Sequence, residues 1–198
     1  MIRKVGLLGG SFDPVHNAHV ALAYAALDAL ALHEIRWIPA GKPWQKSRAM
    51  TAAKHREAMV RLAIDNEPRF VLDRSELQRQ GPTYTLETVR EMHAAWPGAE
   101  LTLIIGQDQY AGMHTWHGWQ ALLGLVQLAV AARPGAERAV NAEVLNFAHR
   151  SVPLPMLDIS SSDIRQQVAR GENIDHLVPP QVARYIEQQA LYRATPRS

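Results

Sequence analysis

Short apolar runs alternate with longer segments of helical period along the chain, and this alternation constrains the fold more than any other feature. Apolar runs of strand length lie at residues 5–8, 34–38, 70–72, 101–105 and 128–132. Strands that are separated by helices pair in parallel, and the helices then cover both faces of the sheet. The sequence therefore predicts an α/β fold, a doubly wound parallel sheet with helices on both faces.

The helical segments complete this prediction. They lie at residues 18–32, 51–65, 85–96 and 137–149, and two further helices begin near Ser161 and Pro180. Thr51 is a candidate N-cap, and residues 152–157 form an extended stretch. Because the sequence shows no internal repeat or linker, we expect one domain over residues 1–198, with a short flexible tail at residues 193–198.

Composition and charge exclude several classes of protein. The 198 residues contain no cysteine, which excludes disulfides, thiolate metal sites and cysteine catalysis. The formal net charge is only +2, and no long run of Lys or Arg indicates a nucleic-acid partner. No segment approaches the roughly 18 apolar residues of a membrane span, and the first apolar run is too short for a signal peptide. We expect a cytoplasmic protein without nucleic-acid or membrane partners.

The segment GGSFDPVHNAH, residues 9–19, follows the first strand and leads directly into a helix. In a parallel sheet, ligands bind beyond the carboxyl ends of the strands. Gly9 and Gly10 let the backbone approach a ligand closely, and the N–H groups of a helix start attract phosphate. His16 and His19 are three residues apart, so both can donate to phosphate oxygens from one helical turn. The segment predicts a phosphate site, although a glycine pair alone also fits a tight turn.

Two His-x-x-His pairs raise zinc as an alternative. His16 and His19 form the first pair, and His114 and His117 form the second. However, no carboxylate or cysteine partner lies at the spacing that zinc sites use. The sequence therefore predicts no protein-bound metal.

A second phosphate site is predicted at ISSSDIR, residues 159–165. Ser161 or Ser162 can cap the N–H groups of a helix start without any ligand. Arg165 lies one turn inside that helix, and a guanidinium beside a helix N-terminus can clamp phosphate. The segment therefore fits either a capped helix or a binding site for phosphates.

Both segments resemble motifs of the nucleotidyltransferases that are related to class I aminoacyl-tRNA synthetases. The first resembles the signature G-x-F-D-P-x-H-x-G-H, with Ala18 where the family usually has glycine. The second resembles the family's I-S-S-T/S-x-I-R motif. The resemblance implies a Rossmann-like sheet and an ATP site. The implied ATP-binding residues are Gly9, Gly10, Ser11, Phe12, His16, His19, Ser160, Ser161 and Arg165.

Three internal segments narrow the resemblance to the bacterial nicotinate mononucleotide adenylyltransferases, and it covers essentially the whole chain. The segments are WIPAGKPWQK at residues 37–46, GPTYTLET at residues 81–88 and LIIGQDQYAGMHTW at residues 103–116. One departure is that Trp44 and Gln45 precede Lys46, where the family often has Pro-His. The implied substrate-binding residues are Thr83, Tyr84, Thr85, Asp108, Trp116 and His117.

Some of these residues also have explanations without a ligand. Trp116 could stack on a pyridinium ring, or it could lie in the core, where Trp119 would share its helical face. Asp108 suits a ribose hydroxyl, but it could also cap the helix that follows. The resemblance implies that N–H groups near Thr85 and His117 hold the nicotinate carboxylate, which would favour the acid over the amide.

The resemblance implies transfer of AMP from ATP to nicotinate mononucleotide, which gives deamido-NAD and pyrophosphate in NAD biosynthesis. The implied catalytic residues are His16, His19, Lys46 and Arg165. Mg²⁺ would travel with ATP on the triphosphate, with mostly water ligands. Two alternatives stay open: another adenylyl- or cytidylyltransferase on the same fold, and a nucleotide-binding regulatory module without catalysis. The chain is too short to add the anticodon-binding domain of a tRNA-charging enzyme.

Overall fold

The structure is a computed structural model that describes residues 2–41, 50–132, 139–154 and 157–193. Within these ranges six strands form one sheet, in which every neighbouring pair is parallel. The strands are β1 (Lys4–Gly10), β2 (Glu34–Pro39), β3 (Phe70–Leu72), β4 (Glu100–Gly106), β5 (Gln127–Ala132) and β6 (His149–Pro153). Their order across the sheet is β3-β2-β1-β4-β5-β6, which confirms the predicted Rossmann-like topology.

Helices cover both faces of this sheet. They are α1 (Asn17–Ala29), α2 (Ala53–Ile64), α3 (Ser75–Gln78), α4 (Thr85–Ala95), α5 (Gln107–Ala111), α6 (Trp119–Leu125), α7 (Ser161–Ala169) and α8 (Pro180–Gln188). Successive residues of a strand point to opposite faces. Leu8 of β1 therefore packs into a core cluster with Ala26 of α1, whereas Leu7 packs into a second cluster with Val89 of α4 and Leu122 of α6.

The helix predicted at residues 137–149 is wrong over the part that the structure describes. From residue 139 onward the chain forms only a three-residue 3-10 turn, Val144–Asn146, before β6 begins. Residues of β6 pair with β5 along its whole length, so hydrogen bonds to the sheet replace those of a helix. The extended stretch predicted at residues 152–157 therefore starts three residues earlier, at His149.

The start of α2 also differs from the prediction. Its N-cap residue is Ala52 instead of Thr51, and no side chain caps this helix. The backbone N–H of Thr51 instead donates to the carboxylate of Asp13, at 3.3 Å. Thr51 is therefore hydrogen-bonded to the loop that follows β1 and is not the N-cap residue of α2.

The order of the strands determines where a ligand can bind. β1 and β4 are neighbours at the centre of the sheet, and the chain runs outward from them in opposite directions, to β2 and β3 on one side and to β5 and β6 on the other. The crevice between the carboxyl ends of β1 and β4 is the switch point at which doubly wound sheets bind ligands. In the described ranges, no helix is long and apolar enough to cross a membrane.

Candidate active site

A cavity of about 760 Å³ opens at this switch point. It is large enough for a nucleotide, since small-molecule sites usually measure about 300–1,000 Å³. Thirteen predicted site residues line it: Gly9, Gly10, Ser11, His16, His19, Thr83, Tyr84, Thr85, Asp108, Trp116, His117, Ser160 and Ser161. The fold thus brings together segments that are up to about 150 residues apart. Phe12 and Arg165 are not in the wall, and Lys46 lies outside the described residues.

The chain between β1 and α1, residues 11–16, is called the β1–α1 loop. Its last residue, His16, and His19 in the first turn of α1 form a stacked pair. His16 is the N-cap residue of α1, and His19 lies three residues further on. Their ring centroids are 3.7 Å apart, and Nδ1 of His19 accepts the backbone N–H of His16 at 3.2 Å. Because Nδ1 is the acceptor, a neutral His19 ring carries its proton on Nε2. The local fold thus fixes which atom of His19 can donate to a ligand.

Phe12 packs against His19 of this pair and does not line the cavity. Its ring is buried, 5.0 Å from the His19 ring and 5.5 Å from the Trp37 ring. A Cβ atom at Gly10 would lie only 3.0 Å from the Phe12 ring, so a side chain there would crowd this buried ring. In this structure Phe12 makes a packing contact that holds His19, and its contact with ATP stays a prediction.

The start of α7 is bonded directly to the β1–α1 loop. Ser160 is the N-cap residue, and its Oγ accepts the backbone N–H of Asp163 at 3.1 Å. The cap is thus one residue earlier than the Ser161 or Ser162 suggested by the sequence. Ser161 instead donates its hydroxyl to the carbonyl of Pro14, at 2.9 Å. The two motifs identified in the sequence therefore form one structural unit.

Arg165 joins the same unit through its guanidinium group. Nη1 donates to the backbone carbonyl of Asp13 at 2.7 Å, and Nη2 donates to Oγ of Ser162 at 2.9 Å. The side chain is half-buried and does not line the cavity. In this structure Arg165 therefore holds the loop, and contact with a phosphate remains a prediction.

The opposite wall of the cavity is formed by the start of α4 and the turn before α6. Thr83, Tyr84 and Thr85 lead into α4, and the Tyr84 ring lies 4.4 Å from the ring of His117. Gly118 adopts φ +62°, and a Cβ atom there would lie 2.5 Å from Leu86 of α4. Glycine at this position lets the turn lie close to the start of α4, where His117 and Tyr84 are in contact.

Trp116 belongs partly to the core and partly to the cavity. It is half-buried against the second core cluster and also lines the cavity. Trp119 is 8% exposed and begins α6, whereas Trp116 follows a separate 3-10 turn, so the two do not share a helical face. Trp116 therefore has an edge that a ligand can reach.

Asp108 lies in the first turn of α5, is exposed and lines the cavity. The N-cap residue of this helix is Gly106, and its backbone N–H donates to Oε1 of Gln109 at 3.1 Å. The side chain that caps this N–H is thus Gln109, and Asp108 is not the N-cap residue. In the described part of the chain, no group of three His, Cys, Asp or Glu side chains could hold a metal ion.

Arg56, which the sequence did not predict as a site residue, donates to the backbone of the β1–α1 loop. Its side chain is only 2% exposed, and it donates to the carbonyls of Ser11 and Thr51, both at 3.0 Å, and of Ala40, at 2.7 Å. Burial lowers the pKa of Arg56 from its usual value. Nothing in the local sequence of α2 distinguishes this arginine from the exposed charges around it.

Glu76, a carboxylate in the cavity wall, was also not predicted from the sequence. It is 8% exposed, and Oε1 accepts the hydroxyl of Thr88 in α4 at 3.0 Å. Burial raises the pKa of Glu76, although neighbouring hydrogen bonds and Arg79 oppose this effect. Because Thr88 also accepts a bond from Arg79 at 3.2 Å, these residues connect α3 to α4.

Known proteins match this fold and site. A family model described as cytidylyltransferase-like matches residues 7–167. A probable nicotinate-nucleotide adenylyltransferase of Bordetella petrii is 48% identical over 97% of this chain and 100% of its own length. One of Methylibium petroleiphilum is 47% identical over 98% and 94%. The Plasmodium falciparum nicotinic acid mononucleotide adenylyltransferase complexed with NaAD has a TM-score of 0.78 at 21% identity, over 96% of this chain and 97% of that one.

Fold and cavity together define a nucleotidyltransferase of the cytidylyltransferase-like class. The paired histidines lie where this class of fold binds ligands, at the end of the first strand. The chain belongs to the nicotinate-nucleotide adenylyltransferase family, a family of enzymes of NAD biosynthesis. This confirms the resemblance that the sequence motifs indicated.

Proposed function

We propose that the protein transfers AMP from ATP to nicotinate mononucleotide, releasing pyrophosphate and forming deamido-NAD. The observation that carries the proposal is one cavity that combines a paired-histidine loop with the start of α4 on its opposite wall. The family's activity agrees with this arrangement, and the Plasmodium falciparum relative is a complex with NaAD. One wall suits a triphosphate, and the other suits a pyridine ring with a carboxylate.

The reaction needs no nucleophile from the protein. A phosphate oxygen of the mononucleotide attacks the α-phosphorus of ATP in line; this P–O bond forms as the bond to the β-phosphate breaks and pyrophosphate leaves. His16 and His19 would donate to the α- and β-phosphates, with Nε2 of His19 as the donor atom. Ser11 and the start of α7 would receive the remaining phosphates. Catalysis then consists of positioning and of stabilising charge on the phosphates.

The mononucleotide would bind on the α4 side of the cavity. Thr85 is the first residue of α4, so its backbone N–H points out of the helix start and can bind a carboxylate. The half-buried Trp116 would stack on the pyridinium ring, and Asp108 would bind a ribose hydroxyl. An amide would present its own donors to the N–H groups near Thr85 and His117, which leaves buried groups unpaired.

Mg²⁺ enters as part of the substrate, bound to the triphosphate of ATP. Such an ion usually keeps several water ligands and contacts phosphate oxygens, so it needs no cage of protein carboxylates. At the histidine loop the cavity is lined by backbone, hydroxyl and imidazole groups, which can contact a magnesium-bound triphosphate. We place this reaction in the cytoplasm and assign it no membrane partner. A net charge of only +2 gives no reason to assign a nucleic-acid partner.

The proposal is tested by steady-state pyrophosphate release with ATP, Mg²⁺ and either nicotinate or nicotinamide mononucleotide. We expect kcat/KM to favour the acid by about 10²-fold, because a site built for one hydrogen-bond pattern rejects the other. His117→Ala should reduce this preference only partly, since backbone groups provide it; His114→Ala, at an exposed residue near the same turn, is the matched control. Values that agree within a few-fold would contradict the carboxylate pocket, and no release with either substrate would contradict the function itself.

A further inference from the structure

The β1–α1 loop contains a buried carboxylate with partners from distant parts of the chain. Asp13 is only 1% exposed. Its Oδ1 accepts the hydroxyl of Tyr192 at 2.7 Å, and its Oδ2 accepts the backbone N–H of Thr51 at 3.3 Å. These partners are 179 and 38 residues away in the sequence. A side chain in the centre of the loop is therefore held from two directions.

The backbone of the same loop is held at several carbonyl groups. Arg56 donates to the carbonyl of Ser11, Arg165 to that of Asp13, and Ser161 to that of Pro14, at 3.0, 2.7 and 2.9 Å. The next residues along the chain are those that carry the histidine pair. Any shift of Asp13 is therefore passed through only two intervening residues to His16.

The bond between Tyr192 and Asp13 is charge-assisted. Burial alone would raise the pKa of Asp13, but hydrogen bonds from Thr51 and Tyr192 and the charge of Arg165 outweigh it, and the pKa is lowered. Burial and the Asp13 charge raise the pKa of Tyr192, so its hydroxyl stays protonated. A protonated donor therefore faces an ionised acceptor, and such bonds are roughly twice as strong as neutral ones.

We propose that Tyr192 is a positioning residue of the adenylyl transfer, which holds the Asp13 carboxylate and thereby fixes the loop that aims His16 and His19 into the cavity. The inference rests on the proposed function. Tyr192 lies beyond α8, does not line the cavity and touches no substrate in this arrangement. Its effect passes through Asp13, and it acts on the reaction because transfer depends on donors that are already in place.

The test is Tyr192→Phe, which removes the hydroxyl and keeps the ring. A small misplacement of catalytic donors lowers the rate strongly, on the order of 10²-fold for 1 Å. For the loss of one bond to Asp13 we expect a fall of about tenfold in kcat, with the KM for ATP changed less than about threefold. The matched control is Tyr185→Phe, because the Tyr185 hydroxyl also bonds a titratable side chain, His55, at 2.9 Å, but lies outside the loop. Its kcat should stay at the wild-type value.

A double-mutant cycle with Asp13→Asn separates positioning from general stability. If Tyr192 acts through Asp13, Tyr192→Phe should have little further effect on kcat in a protein that already carries Asp13→Asn, since coupled residues give non-additive effects. Circular dichroism and thermal unfolding establish that each variant is folded at the assay temperature. If Tyr192→Phe does not fold, Asp13→Asn alone must show the same split, a lower kcat with a nearly unchanged KM for ATP.

The outcomes are distinct. A folded Tyr192→Phe protein with kcat within twofold of wild type overturns the positioning role. Equal losses of kcat in Tyr192→Phe and Tyr185→Phe also overturn it. Fully additive effects of Tyr192→Phe and Asp13→Asn on kcat do the same. A wild-type protein that releases no pyrophosphate with any mononucleotide overturns the proposed function, and the positioning role with it. If the wild type is active and kcat falls in Tyr192→Phe and Asp13→Asn but not in Tyr185→Phe, the proposed function and the positioning role are both supported.

Discussion

His19 is the residue whose replacement tests the proposed chemistry most directly. Its ring is stacked on His16 at 3.7 Å, with an edge contact to Phe12 at 5.0 Å, and its Nδ1 accepts the backbone N–H of His16. His19→Ala removes these contacts and the Nε2 donor together. The two losses affect different quantities, since the contacts act on stability and the donor acts on the transition state.

The expected magnitudes follow from these contacts. Loss of one preorganised donor costs about 3 kcal/mol at the transition state, which corresponds to about a 150-fold lower kcat. The hydrogen bond to the backbone contributes about 1 kcal/mol to stability, and the ring contacts contribute about 1–2 kcal/mol more. Domains of this size are usually stable by about 5–15 kcal/mol, so His19→Ala should remain folded.

The assay is steady-state pyrophosphate release with ATP and nicotinate mononucleotide, together with urea unfolding. His19→Glu is the matched control, because a Glu three residues beyond the N-cap can still accept the N-cap N–H but, when ionised, has no donor. It should regain most of the stability and none of the rate. The reasoning is refuted if folded His19→Ala keeps kcat within about threefold of wild type, or if His19→Glu restores activity along with stability.

Three further predictions concern other residues of the site. Arg165→Ala should raise the dissociation constant of ATP more than that of AMP, measured by calorimetry; equal losses would mean that Arg165 acts only through its bond to the loop. Trp116→Ala should raise the KM for the mononucleotide and leave that for ATP unchanged in steady-state kinetics, whereas parallel changes would assign Trp116 to the core. Glu76 has a raised pKa, caused chiefly by burial, so the stability it contributes in its neutral form is lost as the pH rises above its unfolded-state pKa near 4.5. The free energy of unfolding of Glu76→Gln, measured with urea, should therefore increase relative to that of the wild type as the pH is raised from 4 to 8. A decrease relative to the wild type would refute this.

The sequence predicted the sheet well because its central strands are almost entirely apolar. Strands that are buried on both faces need continuous apolar runs, and β1, β4 and β5 have them. The error at residues 137–149 arose at the edge of the sheet, where β6 has mostly exposed side chains. Its strand conformation comes from pairing with β5, which no local pattern reveals.

The sequence also predicted thirteen of the residues that line the cavity, because the loops after parallel strands meet at one edge of the sheet. It did not predict Arg56 and Tyr192, which hold the first of those loops. Arg56 resembles a surface charge of an amphipathic helix, and Tyr192 is 179 residues from its partner Asp13. Contacts of that separation follow from the three-dimensional arrangement of the strands, and local spacing carries no information about them.

The contacts of the β1–α1 loop have a consequence for the synthesis of the chain. The loop leaves the ribosome before its hydrogen-bond partners do, and domains generally begin to fold from the N-terminal side as they are made. Its hydrogen-bond partners Thr51, Arg165 and Tyr192 follow 38, 152 and 179 residues after Asp13. The loop therefore cannot reach its final conformation until Tyr192 has emerged, and a nascent chain should gain the ability to bind nucleotide only then.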